Sequence, residues 1–144
     1  MVLKLWASAL NADDLDIFVA IRKFDRDGRE VQFYAKDGYR EGNVALGWLR
    51  VSQRHLDAER SEPWRPFLSH DRSEKVQPGE VVPVEIEILP SSTAFETGES
   101  LRLVVSGHDI MKFARFGHDE IVNKGRHRLH AGGAYPSYLL IPFC

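Results

Sequence analysis

The sequence predicts an all-β fold, a sandwich or barrel of short strands, and three observations carry that expectation. Apolar and polar residues alternate in several short runs, the period that sends successive side chains to opposite faces of a strand. Turns rich in Gly, Pro and Asp separate those runs. No segment carries the apolar stripe of an amphipathic helix, and many short strands without long helices belong to sandwiches and barrels.

In chain order, Leu3-Lys4-Leu5-Trp6-Ala7 reads as the first strand, with Trp6 in the core. Asp13, Asp14 and Asp16 form an acidic cluster best placed in a solvated turn, although a structural cation at a sandwich end is an alternative use. Ile17 to Phe24 is apolar on both faces, which suits a strand covered on both sides. Asp25-Arg26-Asp27-Gly28 then turns the chain into a partner strand at Val31–Tyr34, since Asp-Gly between apolar runs is a hairpin signal. A strand is expected at Ala45–Gln53 and a single helical turn at Leu56–Glu59. Arg54 to Ser73 is otherwise irregular, and loops beyond about 12–15 residues tend to be functional or to pack on something.

Gln77-Pro78-Gly79-Glu80 is a turn, and Val82 to Ile88 alternates strictly, with Pro83 suggesting an edge or a bulge because proline cannot donate to a ladder. Thr97-Gly98-Glu99 turns into a strand at Leu101–Val105, and further strands are expected at Arg128–Ala131 and Tyr138–Phe143.

The chain has 144 residues, 43% of them hydrophobic and 28% charged, which suits one globular domain. That length leaves no room for an α/β-hydrolase or a TIM barrel. Nineteen Lys and Arg against 21 Asp and Glu give no broad attraction to nucleic acid. Lys124, Arg126, His127, Arg128 and His130 read as a solvated turn and strand edge, without the interleaved aromatics of a single-strand-binding surface. The one cysteine, Cys144, excludes an intramolecular disulfide and a thiolate metal cluster. No signal peptide and no membrane span are visible, so a cytoplasmic location and no membrane partner are expected.

Catalytic motifs are weak. G-x-S-x-G is absent, and Ser69-His70-Asp71 holds the residue types of a triad at positions too close in sequence to chain their hydrogen bonds. His108 and His118 raise a metal-dependent alternative, but nothing specifies three or four ligands, and no metal or other cofactor is expected. Asp25-x-Asp27-Gly28 lacks most of a calcium loop and reads as a hairpin. Trp48, Trp64, Tyr34, Tyr39, Tyr135 and Tyr138 are of the type that forms sugar platforms, and buried packing explains them more economically.

Particular residues say more than their pattern. Gly47-Trp48-Leu49-Arg50-Val51-Ser52-Gln53-Arg54 and Leu56-Asp57-Ala58-Glu59-Arg60-Ser61-Glu62-Pro63-Trp64-Arg65-Pro66 resemble the C-terminal domain of X-Pro dipeptidyl-peptidase and CocE/NonD-type (cocaine esterase-like) hydrolases. Pro78 to Ile86, Gly98 to Leu103 and Ser137 to Pro142 extend the resemblance, as do Leu3 to Ser8 and Asp14 to Val19, so it covers nearly the whole chain in order. It implies one jelly-roll β-sandwich of the galactose-binding-like kind over residues 1–144, without the α/β-hydrolase domain that carries a Ser-Asp-His triad in the family. The implied function is that of a non-catalytic accessory domain. It would pack on the hydrolase domain of the parent polypeptide and help shape its active-site region, while the parent cleaves ester or peptide bonds. No family catalytic residue carries over, and this chain alone is expected to be inactive. The strand starting at Val2 has the look of a domain cut out of a longer chain, with an N-terminal strand tied into a sheet as the ordinary alternative. Arg60, Trp64, Arg65 and His70 in the irregular stretch become candidates for interdomain docking, since Trp and Arg are enriched in interface hot spots; folding back on the sandwich is the competing use. Excised, the domain is expected to dimerise through a lost docking face. A stand-alone β-sandwich binding module, for carbohydrate, is the rival function.

Overall fold

The computed structural model describes residues 1–34, 40–110 and 120–143. They hold ten strands and one short 3-10 helix: β1 (Val2–Ala9), β2 (Asp16–Phe24), β3 (Glu30–Val31), β4 (Phe33–Tyr34), β5 (Arg40–Gly42), β6 (Ala45–Arg50), the helix Val51–Gln53, β7 (Val82–Glu87), β8 (Ser100–Ser106), β9 (His127–His130) and β10 (Tyr138–Leu140). Two antiparallel sheets enclose the core. β1 is central in the first, with β7 on one side and β9 and β10 end to end on the other. β2 is central in the second, flanked by β8 and, on its other side, by β6 and β3 end to end. β4 and β5 pair separately. The chain crosses from one sheet to the other after β1, β6, β7 and β8, as a jelly roll does, so the expected fold class is the observed one.

Alternation explains the layers. Leu3, Leu5, Ala7 and Ala9 of β1 face Ile17, Val19 and Ile21 of β2, with Val82, Val84 and Ile86 of β7 in the same core. Burying a side chain of this size contributes roughly 1.5–3 kcal/mol. Phe18 and Ala20, on the other face of β2, are buried too, as the double-faced apolar run implied. Pro83 sits on β7, which pairs with β1 alone and is therefore an edge. The turn before it closes between Gln77 and Glu80, with Gly79 at φ 84°, the left-handed region that glycine enters without cost.

At one corner the sheets almost fuse. The Leu89 N–H donates to the Leu46 carbonyl at 2.9 Å, and a Cβ on Gly47 would lie 2.3 Å from the Glu87 carbonyl oxygen. The strand expected to run to Gln53 ends at Arg50, where the backbone tightens into the 3-10 helix. Trp6 is not in the inter-sheet core. Its neighbours Leu5 and Ala7 face inward, so it faces outward, against the Tyr135 ring, and donates its indole N–H to the Pro136 carbonyl at 3.3 Å. Tyr39, His118, Asp119 and Cys144 lie outside the described residues.

Candidate functional site

The irregular stretch after the 3-10 helix is a tied excursion. Arg54 clamps its base: one guanidinium nitrogen donates to the Val51 and Glu74 carbonyls, and the other lies 3.3 Å from the Glu74 carboxylate. Leu56 and Leu68 form an antiparallel bridge, and Ser69 N–H donates to the His55 carbonyl at 2.9 Å. The Asp57 carboxylate accepts from the N–H groups of Glu59 (3.0 Å) and Arg60 (3.2 Å). Ser61 N–H donates to the Asp57 carbonyl at 3.0 Å, so the single helical turn expected at Leu56–Glu59 is present slightly further on, closed between Asp57 and Ser61 with Asp57 as its N-cap, while Leu56 itself lies in the bridge. Glu62 and Arg65 exchange backbone bonds at 3.0 and 2.9 Å, leaving Pro63 and Trp64 as the tip of a tight turn.

The excursion is split between sandwich and solvent. Its base folds back, with Pro66 buried and Leu68 packed on the core, while its tip stands in solvent. Trp64 is 64% exposed, and Arg65 beside it is exposed as well. The Arg60 guanidinium lies 3.5 Å from the centre of the Phe67 ring, a cation–π contact that stiffens the tip. His70 sits apart from this group. It is the one non-glycine residue with a left-handed backbone among those described, at φ 54°. It lines a groove of about 230 Å³ between the excursion and the β6–β7 corner, together with Trp48, Pro66, Phe67, Leu68 and Leu89. The four candidates thus divide into a tip (Arg60, Trp64, Arg65) and a groove wall (His70).

Trp48 and Leu89 extend the apolar surface, at 46% and 47% exposure, and were not singled out as docking residues from sequence. The signal for Trp48 was its parity, because Gly47 and Leu49 face inward and force it outward. Burial is therefore the wrong account of Trp48, Trp64, Tyr34 and Tyr138, all of them exposed.

The remaining candidates resolve into local chemistry. Ser69 and Asp71 do not form a triad with His70; the histidine in contact is His55. Ser69 Oγ donates to Asp71 Oδ1 at 2.5 Å and lies 3.0 Å from His55 Nδ1. The serine proton is directed to the Asp71 carboxylate rather than to the His55 imidazole. Hydrogen bonds from Arg72, and then from Ser69, hold the Asp71 carboxyl far below the usual carboxylate range. Asp25 accepts from the N–H groups of Asp27 and Arg29, closing the hairpin on itself. The basic run lies in a turn and on β9, an edge strand, with Lys124, Arg126 and Arg128 exposed. His108 Nδ1 lies 3.2 Å from Ser106 Oγ, and among the described residues no three His, Cys, Asp or Glu side chains are grouped to hold a metal.

The acidic cluster is not a solvated turn. Asp13 is exposed and bound to Lys75 at 2.6 Å, but Asp14 and Asp16 are buried. Asp16 takes a bidentate pair from Arg50 (2.8 and 3.0 Å) and a bond from Val122 N–H. Asp14 Oδ1 accepts from the N–H groups of Leu15 and Ser52, both at 2.9 Å.

Residues 1–140 match the model of the X-Pro dipeptidyl-peptidase C-terminal non-catalytic domain. Two solved structures of a CocE/NonD family hydrolase from Staphylococcus aureus are similar to this chain, each with 45% identity and a TM-score of 0.89 over 94% of it. The match spans 26% of the Staphylococcus chain. No curated protein sequence matches significantly.

Proposed function

The chain belongs to the family of X-Pro dipeptidyl-peptidase C-terminal non-catalytic domains, an accessory part of a hydrolase, and from that premise we propose that it packs on an α/β-hydrolase domain of the same parent polypeptide and helps shape its active-site region. The parent cleaves ester or peptide bonds, and this domain by itself cleaves neither. The observation that carries the reading is Trp64, held in solvent on a tip whose backbone is hydrogen-bonded on both sides. A rigid, exposed aromatic loses little conformational freedom on docking, and such residues dominate interface energetics. The groove walled by His70 and Trp48 lies beside it along the same excursion.

Hydrogen exchange tests this. Adding the catalytic domain in trans should slow exchange at residues 57–70, and Trp64→Ala should weaken association by roughly 2 kcal/mol or more, the scale of a hot spot. Unchanged protection there, with complex formation confirmed, sinks the docking role. Without its partner the same face is open to a second copy, so self-association that grows with concentration and disappears in Trp64→Glu is expected in light scattering.

A further inference from the structure

The groove between the excursion and the β6–β7 corner has one wall that is not apolar. Alternation on β7 turns Val84 and Ile86 into the core, so Glu85 and Glu87 face outward, and both line the groove. The two carboxylates differ in their partners. Lys4 bonds the Glu85 carboxylate at 3.0 Å and neutralises it. The Glu87 carboxylate is exposed and, among the described residues, meets no cation and no hydrogen-bond donor. Opposite stand Pro66, Phe67, Leu68 and Leu89, and the described lining holds no Lys or Arg. An apolar groove of about 230 Å³ is thus flanked by one uncompensated negative charge. That charge stands on a fixed base. The Glu87 carbonyl oxygen lies 2.3 Å from where a Cβ on Gly47 would fall, and the Leu89 N–H is bonded to the Leu46 carbonyl at 2.9 Å. With the backbone held on both sides, little beyond the Glu87 side-chain torsions has to be ordered on binding.

Charge and shape select the occupant. An apolar residue seated there would strip water from Glu87 and leave it unpaired, which costs free energy. An acidic residue would meet a like charge. A side chain with a long apolar stem and a cationic head satisfies both walls, the stem along Phe67 and Leu89 and the head at Glu87. Arginine meets this better than lysine, because its planar fork takes a carboxylate bidentately and lies flat against apolar and aromatic surface. We propose that this groove is a seat for an arginine side chain, paired with Glu87 and presented by the catalytic domain of the parent polypeptide. The source of the arginine rests on the docking reading; the seat itself rests on the groove and its unpaired carboxylate.

Two measurements separate the seat from the docking. In the ¹⁵N-labelled chain alone, N-acetyl-arginine amide should give saturable shifts of the Gly47 and Leu89 amides. Its neutral isostere N-acetyl-citrulline amide, and N-acetyl-leucine amide, should bind severalfold more weakly. Glu87→Gln removes a carboxylate with no partner to lose, so it should keep the native spectrum and weaken the arginine probe about tenfold, the cost of a charge-assisted hydrogen bond. In the complex with the catalytic domain, Glu87→Gln should weaken association by a similar factor and Glu87→Lys by more, both effects shrinking in high salt. Trp64→Ala should weaken the complex and leave the arginine probe unaffected. The proposal is overturned by the absence of a saturable shift with the arginine probe, by equal affinity for the citrulline or leucine probe, or by native affinity of Glu87→Gln for the catalytic domain. Binding of the arginine probe without any binding of the catalytic domain sinks the docking reading and leaves the seat standing.

Discussion

Gly47 shows how one missing side chain permits the closure of the sandwich. The atom a Cβ would strike is a backbone carbonyl, that of Glu87, which no rotamer change can move aside. Gly47→Ala should therefore cost about 1–3 kcal/mol, the scale of an overpacked core, seen as a lower midpoint in urea with an unchanged slope. Asp14 and Asp16 make the opposite point about reading single residues. Three aspartates in four positions look solvated, and their burial depends on partners far along the chain, Ser52 for one and Arg50 and Val122 for the other. Nothing local in the sequence announces that pairing.

Within the excursion, the tip and the base should respond separately. Trp64→Ala removes a side chain that stands in solvent and should leave stability within about 0.5 kcal/mol of the native chain. Phe67→Ala removes the ring under Arg60 and part of the groove wall, and a larger loss is expected in the same thermal melts. Acid should act at the base. Asp71 is held below its ordinary value, so the folded state binds fewer protons there than the unfolded chain. Its contribution is complete above the unfolded value of about 3.9 and is lost as pH falls below it through the folded value. Protection of the Ser69 amide should hold between roughly pH 7 and 5 and decline below about pH 4, and Asp71→Asn should show no such acid step. Strands were legible because alternation is local: β1, β2, β7 and β8 stand where the pattern placed them. The excursion was legible only as a long gap. Its order comes from side-chain-to-backbone bonds at Asp57 and Ser61, which leave no periodic trace.

Across the whole molecule, the core is shared by both sheets rather than divided between them. Backbone circular dichroism and tryptophan fluorescence should therefore report one coincident unfolding transition; separate midpoints would mean that the sheets unfold independently. The jelly-roll class and the family were visible in the sequence, while the corner that joins β6 to β7 was not, because contact between sheets has no signature in either strand.

The position of β1 also sets a timetable. Its neighbours in the sheet are β7, β9 and β10, all far along the chain from it, and its Trp6 bonds a carbonyl 130 residues further on. Within this domain β2 finds β3 and β6 close by in sequence, whereas the partners of β1 lie far downstream of it. Chains dominated by such distant pairings fold in roughly milliseconds to seconds. Until its partners pair with it, the apolar face of β1 is a segment of this domain that chaperones, or a neighbouring chain, will find open.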